Sequence, residues 1–185
     1  MILPVTVYGD PLLRKVTQPI SKEYEGLHEL IENMFETMYN ADGVGLAAPQ
    51  VGLNIRLFVM DTTPAANDDE PDLKGFKKAF INPKVISSSG EPWEMEEGCL
   101  SLPNIHENVV RDEEVTIEYT DENWERKTET FHSYKARVIL HEYDHLEGKL
   151  FIDYISPLRK RLLKSKLIAI SKGKANASYR IKVPK

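Results

Sequence analysis

The sequence predicts an α+β fold, because runs with strand character lie between three segments with helical spacing. From Leu27, apolar side chains recur at positions 27, 30, 31, 34, 35 and 38, one stripe of a core-packed helix. At Val115, Ile117 and Tyr119, apolar residues alternate with polar neighbours, as a half-buried strand requires.

In chain order, strand-like runs lie at Arg56–Met60, Ala79–Ile81, Val85–Ser88, Glu114–Thr120 and Lys127–His132. Thr62 to Asp72 is polar and Pro-rich, which suits a surface loop too short to link domains. A second helix is expected from about Tyr134 to Glu147. A third begins near Ser156-Pro157, a cap followed by a first-turn proline, and runs to about Ser171. Leu158, Leu162, Leu163, Leu167 and Ile170 are expected on one face of it.

A length of 185 residues suits one domain over residues 1–185, with a basic helix and tail from about 156. Hydrophobic content of 41% and charged content of 29% are ordinary for a soluble protein. No apolar run approaches the length of a membrane span, and the N-terminus lacks the pattern of a secretory signal. With a single cysteine, no internal disulfide can form, and nothing points to an oxidising compartment. The expected location is the cytoplasm.

The chemistry is concentrated in His141-Glu142-Tyr143-Asp144-His145, an H-E-x-x-H sequence. Residues four apart share a helix face, so His141 and His145 can hold one metal ion, with Glu142 beside it as a base for a bound water. A catalytic site of this kind needs a third protein ligand and an open position. The extended H-E-x-x-H-x-x-G-x-x-H pattern would place a His at Phe151, which cannot bind metal. No Glu follows Glu147, and Asp153 is the only later carboxylate, so the third ligand is expected upstream. Cys99 stands there between Gly98 and Pro103, in irregular backbone. A lone cysteine is commonly a buried small hydrophobe. His106 and His132 are rival ligands, and His28 is a poorer one.

A third segment, Gly43-Val44-Gly45-Leu46-Ala47-Ala48-Pro49-Gln50, has glycines spaced for close backbone approach or positive φ. It is neither a dinucleotide fingerprint, since Ala48 stands where a glycine is needed, nor a phosphate loop.

Together three segments resemble the peptide deformylase family: 43–50, Glu97-Gly98-Cys99-Leu100-Ser101-Leu102-Pro103, and His141 to Gly148. They occur in the family's order and frame a region from about Val5 to Asp153. The resemblance implies mainly antiparallel β-sheets packed around a central metal-bearing helix, with an N-terminal and a C-terminal helix. It implies removal of the formyl group from the N-terminal formylmethionine of newly made proteins, so N-formylmethionyl nascent peptides are the expected partners. Carried over residue by residue, Cys99, His141 and His145 are the expected metal ligands and Glu142 the general base and later acid. Gln50 and the backbone N–H of Leu100 are the expected oxyanion donors. Val44, Gly45, Val138 and Leu140 are expected at the substrate, the apolar three around an unbranched thioether side chain. The resemblance favours Fe²⁺, with Zn²⁺, Ni²⁺ or Co²⁺ as possible occupants, and a thiolate ligand suits those ions.

The chain departs from the family at two positions. Leu140 stands where a Gln usually precedes the first ligand His, and His106 where bacterial members often carry Arg. Arg111 matches a family arginine and is expected to pair with Glu97.

Charge is unevenly spread. The net charge is −5, yet beyond Asp153 there is no acidic residue and ten Lys and Arg. A basic tail on an acidic body suggests either an anionic partner, ribosomal RNA being the natural candidate for an enzyme of nascent chains, or a solvated helix whose Lys stems cover apolar surface. Every candidate site residue precedes Asp153, so the tail is expected to be dispensable for turnover of a short peptide. Two other classes carry different signatures. A metallopeptidase would share Glu142 but cleave unformylated peptides. A non-catalytic metal protein docking on RNA would keep the basic tail without needing Gln50 and Glu142 together.

Overall fold

The computed structural model describes residues 1–184. Lys185, the last residue of the expected basic tail, lies outside the described residues.

The scaffold is a five-stranded antiparallel sheet. Its strands are β2 (Gly45–Ala47), β3 (Leu57–Asp61), β4 (Lys77–Ser89), β7 (Glu114–Thr120) and β8 (Arg126–His132), side by side in that order. A separate antiparallel hairpin pairs β5 (Trp93–Cys99) with β6 (Leu102–Arg111). A short parallel pair joins β1 (Val5–Thr6) to β9 (Ile181–Lys182). The mainly antiparallel α+β architecture is therefore as the sequence and the resemblance imply.

Helices cover both faces of the sheet. The stripe of α1 (Leu27–Asn40) packs on Leu57, Val59, Ala79 and Ile81. On the other face, α2 (Ser133–Leu146) packs Ala136, Val138, Ile139 and Leu146 against Phe58, Met60, Phe80 and Ile117. Successive β3 residues point to opposite faces, so a strand covered on both sides is apolar nearly throughout, as Leu57-Phe58-Val59-Met60 is. The third cluster is built from α3 (Pro157–Ser171), the hairpin residues Leu102, Ile105 and Val109, and the stretch Leu150–Ile155.

Three departures from the sequence reading have physical causes. The two runs at 79–81 and 85–88 belong to one strand, β4, which passes Asn82-Pro83 by shifting register between Ile81 and Lys84. A bulge is where a strand tolerates a proline that cannot donate to the ladder. The hairpin was not legible as strands. Glutamates fill β5, and the inward positions of β6 include Glu107 and Arg111, which masks the alternation.

On α3 the expected single apolar face is split. Leu163, Leu167 and Ile170 are buried, but Leu158 and Leu162 are 64% and 59% exposed. At about 100° per residue, Leu158 lies roughly 120–180° from the buried three and Leu162 roughly 80–140°, so the two stand to one side of the buried stripe. The loop from Thr62 to Asp72 is anchored at its ends, where the buried Thr62 hydroxyl donates to the Leu73 carbonyl at 2.7 Å. Among the described residues, no helix is long and apolar enough to cross a membrane.

Candidate active site

The central helix α2 presents His141, Glu142 and His145 on the side facing β2 and the Cys99 loop. Its C-terminus is followed by Gly148, whose φ of 70° is the left-handed turn that glycine takes just past a helix end. A side chain there would also strike the Arg14 carbonyl.

The hairpin brings Cys99 to the two histidines. Ligand atoms of Cys99, His141 and His145 lie within 4.8 Å of one another, and Cys99 Sγ is 3.3 Å from His145 Nε2. Ligand bonds of about 2.0–2.3 Å would let one ion bridge such a trio. The rival residues lie elsewhere. His132 is exposed beside Glu114, His28 is exposed on α1, and Asp153 pairs with Arg14. His106 sits across the hairpin from Gly98 and borders the cleft without joining the trio. Phe151, where the extended motif would need a third His, stacks on His141 instead.

Behind the trio lies a buried ion-pair network. Glu97 receives His141 Nδ1 at 2.8 Å, Arg111 at 2.7 and 2.9 Å, and Arg137 at 2.7 Å. Arg111 also reaches Asp144 at 2.9 Å. Burial raises the Glu97 pKa, but hydrogen bonds from His141 and Arg111 outweigh it and hold the carboxyl well below its ordinary range. An ionised carboxylate on Nδ1 leaves Nε2 of His141 for a cation and raises its basicity. Burial lowers the His141 pKa, but hydrogen bonds to Cys99 and Glu97 hold it well above the ordinary value, a sign of an anionic setting that favours a cation. Burial, then the charges of His141 and Arg111, holds His145 well below that value, as a neutral ligand ring requires. Two imidazoles and a thiol in this setting fit a divalent transition metal.

Glu142 is 4% exposed, and its Oε2 has no hydrogen-bond partner among the described residues. Burial pushes its pKa up to about 7, where a carboxyl can both take and give a proton near neutral pH. Gly45 makes room for it: a Cβ there would come within 2.8 Å of Glu142 Cγ and Cδ. Gln50 is 2% exposed, and its orientation is fixed. Its Oε1 accepts from the Ala47 N–H at 2.9 Å, so Nε2 points to Cys99 Sγ at 3.5 Å and Ser101 Oγ at 3.2 Å.

These groups border a cleft of about 440 Å³. Val44, Gly45, Gln50, Leu100, Val138, His141 and Glu142 line it, with Cys99 beside them. Leu140 does not. It is turned some 200° from Val138 on the helix and packs in the cluster against the sheet, so its expected place at the substrate is corrected.

Sequence reasoning missed Tyr134, one turn before Val138 on the same face and so findable from helical spacing. It also missed the segment Asn176–Tyr179, which reaches the cleft from the tail. No local signal marks those four residues, and the expectation that the tail stands apart from the site is corrected.

A helix-borne H-E-x-x-H pair completed by a thiolate, with a buried carboxylate over an open cleft, places the chain in the class of metal-dependent hydrolases. The comparisons narrow the class. Residues 2–161 match the polypeptide deformylase family. The peptide deformylase of Christiangramia forsetii is 55% identical over 190 residues, covering 100% of this chain and 97% of the relative. That of Flavobacterium johnsoniae is 56% identical over 188 residues, covering 98% and 96%. The crystal structure of peptide deformylase from Thermotoga maritima, 43% identical, superposes with a TM-score of 0.76 over 85% of this chain and 99% of that one. The chain belongs to the peptide deformylase family, metal-dependent hydrolases that remove the N-formyl group from the N-terminal formylmethionine of newly synthesised proteins.

Proposed function

We propose that Cys99, His141 and His145 hold one divalent ion, with Fe²⁺ as the working metal and Zn²⁺, Ni²⁺ or Co²⁺ able to take its place. The convergence of these three donors carries the reading. When bound, such an ion makes a water acidic and polarises a carbonyl. Glu142 takes the proton of the attacking water and passes it to the departing amine, a role supported by its pKa of about 7 and its unpartnered Oε2. The Gln50 amide and the Leu100 N–H donate to the oxygen of the formyl group as negative charge develops there. The fixed turn of the Gln50 amide supports that assignment. Val44, Gly45 and Val138 form the wall against the methionine side chain. Glu97, Arg111 and Arg137 hold His141 and the Cys99 loop in register.

Residues 1–185 act as one catalytic domain in the cytoplasm, with the basic helix and tail from about 156 turned toward ribosomal RNA. The charges of α3 support this: among the described residues, the exposed Arg161, Lys164 and Lys166 make no ion pair, whereas Arg159 is tied to Glu107 at 2.6 Å. Reversal of Arg161, Lys164 and Lys166 to Glu should weaken ribosome binding and flatten its salt dependence. Unchanged affinity in the folded variant would refute that contact. The central test is anaerobic turnover of formyl-Met-Ala-Ser against its unformylated counterpart, with metal analysis of the same sample. Formate release from the first alone, at one metal per chain, is expected. Cleavage of the unformylated peptide would make the protein a metallopeptidase.

A further inference from the structure

The tail turns back into the cleft. After α3 the chain reverses, and β9 pairs with β1 through the Val5 N–H to the Arg180 carbonyl at 2.9 Å and the Val7 N–H to the Lys182 carbonyl at 3.1 Å. Ala175 and Ile181 pack on the cluster that Cys99 also touches. Between these anchors, Asn176 to Tyr179 border the cleft. The Asn104 amide donates to the Asn176 carbonyl at 2.6 Å, and the Tyr179 hydroxyl donates to the Leu100 carbonyl at 2.7 Å. On the next residue, the Ser101 carbonyl accepts the Tyr8 N–H at 2.9 Å. The two carbonyls that follow Cys99 are thus held from outside the hairpin, one by each terminal segment. The residues matched to the family end at 161, before this segment begins.

We propose that Tyr179 is a positioning residue for deformylation: its hydroxyl fixes Leu100, and so the aim of the Leu100 N–H at the formyl oxygen. The proposal rests on the reading of that N–H as an oxyanion donor. Leu100 lies in the turn between β5 and β6, where the ladder register shifts after Gly98. The Leu100 N–H belongs to the Cys99–Leu100 peptide, one plane before the carbonyl that Tyr179 holds, so the hydroxyl acts through the Leu100 Cα: with the following plane pinned, the turn cannot swing as a unit, and a donor must be aimed before the reaction to stabilise developing charge. The phenol is suited to a constant hold. Burial, and then the charge of Cys99, pushes its pKa well above the ordinary value, so it remains a donor at any working pH. The full rate of deformylation would then depend on a segment that lies more than 70 residues beyond the turn it steadies.

The test uses the metal-loaded full-length enzyme and formyl-Met-Ala-Ser. Tyr179→Phe keeps the ring and removes one neutral hydrogen bond, so kcat should fall about fivefold, with KM within about twofold. Metal content should not change. The second arm replaces the Leu100 amide by an ester, incorporating the α-hydroxy acid of leucine, which deletes the N–H. In that background Tyr179→Phe should change kcat by less than about twofold, because the donor it aims is gone. A merely structural tyrosine would lower kcat equally in both backgrounds, which overturns the proposal. Full kcat in Tyr179→Phe, while the ester alone is impaired, removes Tyr179 and leaves the oxyanion reading intact. Full kcat in the ester variant removes the Leu100 donor, and the role of Tyr179 falls with it.

Discussion

Gly45→Ala tests the geometry of the site with one methyl group. Gly45 lies in β2 on extended backbone, so alanine meets no conformational penalty there, and any effect arises from the space around Cβ. That Cβ would sit 2.8 Å from both Cγ and Cδ of Glu142. Ordinary carbon contacts need about 3.5–4.0 Å, so the two groups must separate by roughly 1 Å. The strand is held between β3 and α2, whereas the carboxylate has an oxygen with no partner. Glu142 is therefore the group that moves. A misplacement of about 1 Å at a reacting group costs on the order of 10²-fold, and that is the expected fall in kcat. KM should change little, since Cys99, His141, His145, Val44 and Val138 stay in place and the added methyl meets Glu142. Overpacking should lower stability by about 1–3 kcal/mol, or roughly 2–12 °C in Tm for a chain of this size. Formate release, metal content and thermal denaturation on one preparation give all three quantities. Should Gly45→Ala keep kcat within about threefold while holding its metal, proton transfer does not depend on Glu142 being where the structure has it.

Glu142→Gln keeps the shape and removes the base, so turnover should drop at least about 10²-fold with metal retained, read by metal analysis beside kinetics. Gln50→Ala should lower kcat by about 10²-fold or more; a change confined to KM would make Gln50 a substrate holder only. Formyl-Met peptides should exceed formyl-Gly peptides at least about tenfold in kcat/KM, the worth of burying one apolar side chain, and equal values would remove the pocket. Arg111→Ala strands two acidic partners, Glu97 and Asp144, and breaking a buried pair costs about 3–5 kcal/mol. Calorimetry should find Tm lower by roughly 6–20 °C, and a loss near zero would deny the network its structural role.

The parts of this fold legible in the sequence are those where one residue type does one job. The α1 stripe and the alternation of β7 each face a single apolar surface, so periodicity reports burial directly. H-E-x-x-H was legible because helix geometry alone puts its three side chains together. The β5–β6 hairpin was hidden because its inward charged residues are satisfied by partners far along the chain: Glu97 by Arg137 and His141, and Glu107 by Arg159. Such residues read as surface until those partners are placed. The choice of Cys99 over His106 could not be made by spacing, since both lie on the same hairpin and its register decides which one faces His145. Leu140 was misplaced because nearness in sequence to His141 was read as nearness in space, and one residue on a helix turns the side chain by 100°. Tyr179 left no trace because a single hydroxyl on a backbone carbonyl has no pattern.

The pairing of β1 with β9 also sets an order of assembly. A chain made from its N-terminus folds in that direction as it emerges. Val5 and Thr6 are made before their ladder partners, Ile181 and Lys182, which follow some 175 residues later. The strands of the sheet, α1 and α2 all lie between Leu27 and Leu146, so their mutual contacts do not wait for that pairing. What must wait is the outer brace of the Cys99 turn. Until Ile181 and Lys182 have emerged, the Cys99 turn lacks that brace and the cleft lacks the wall made by Asn176–Tyr179.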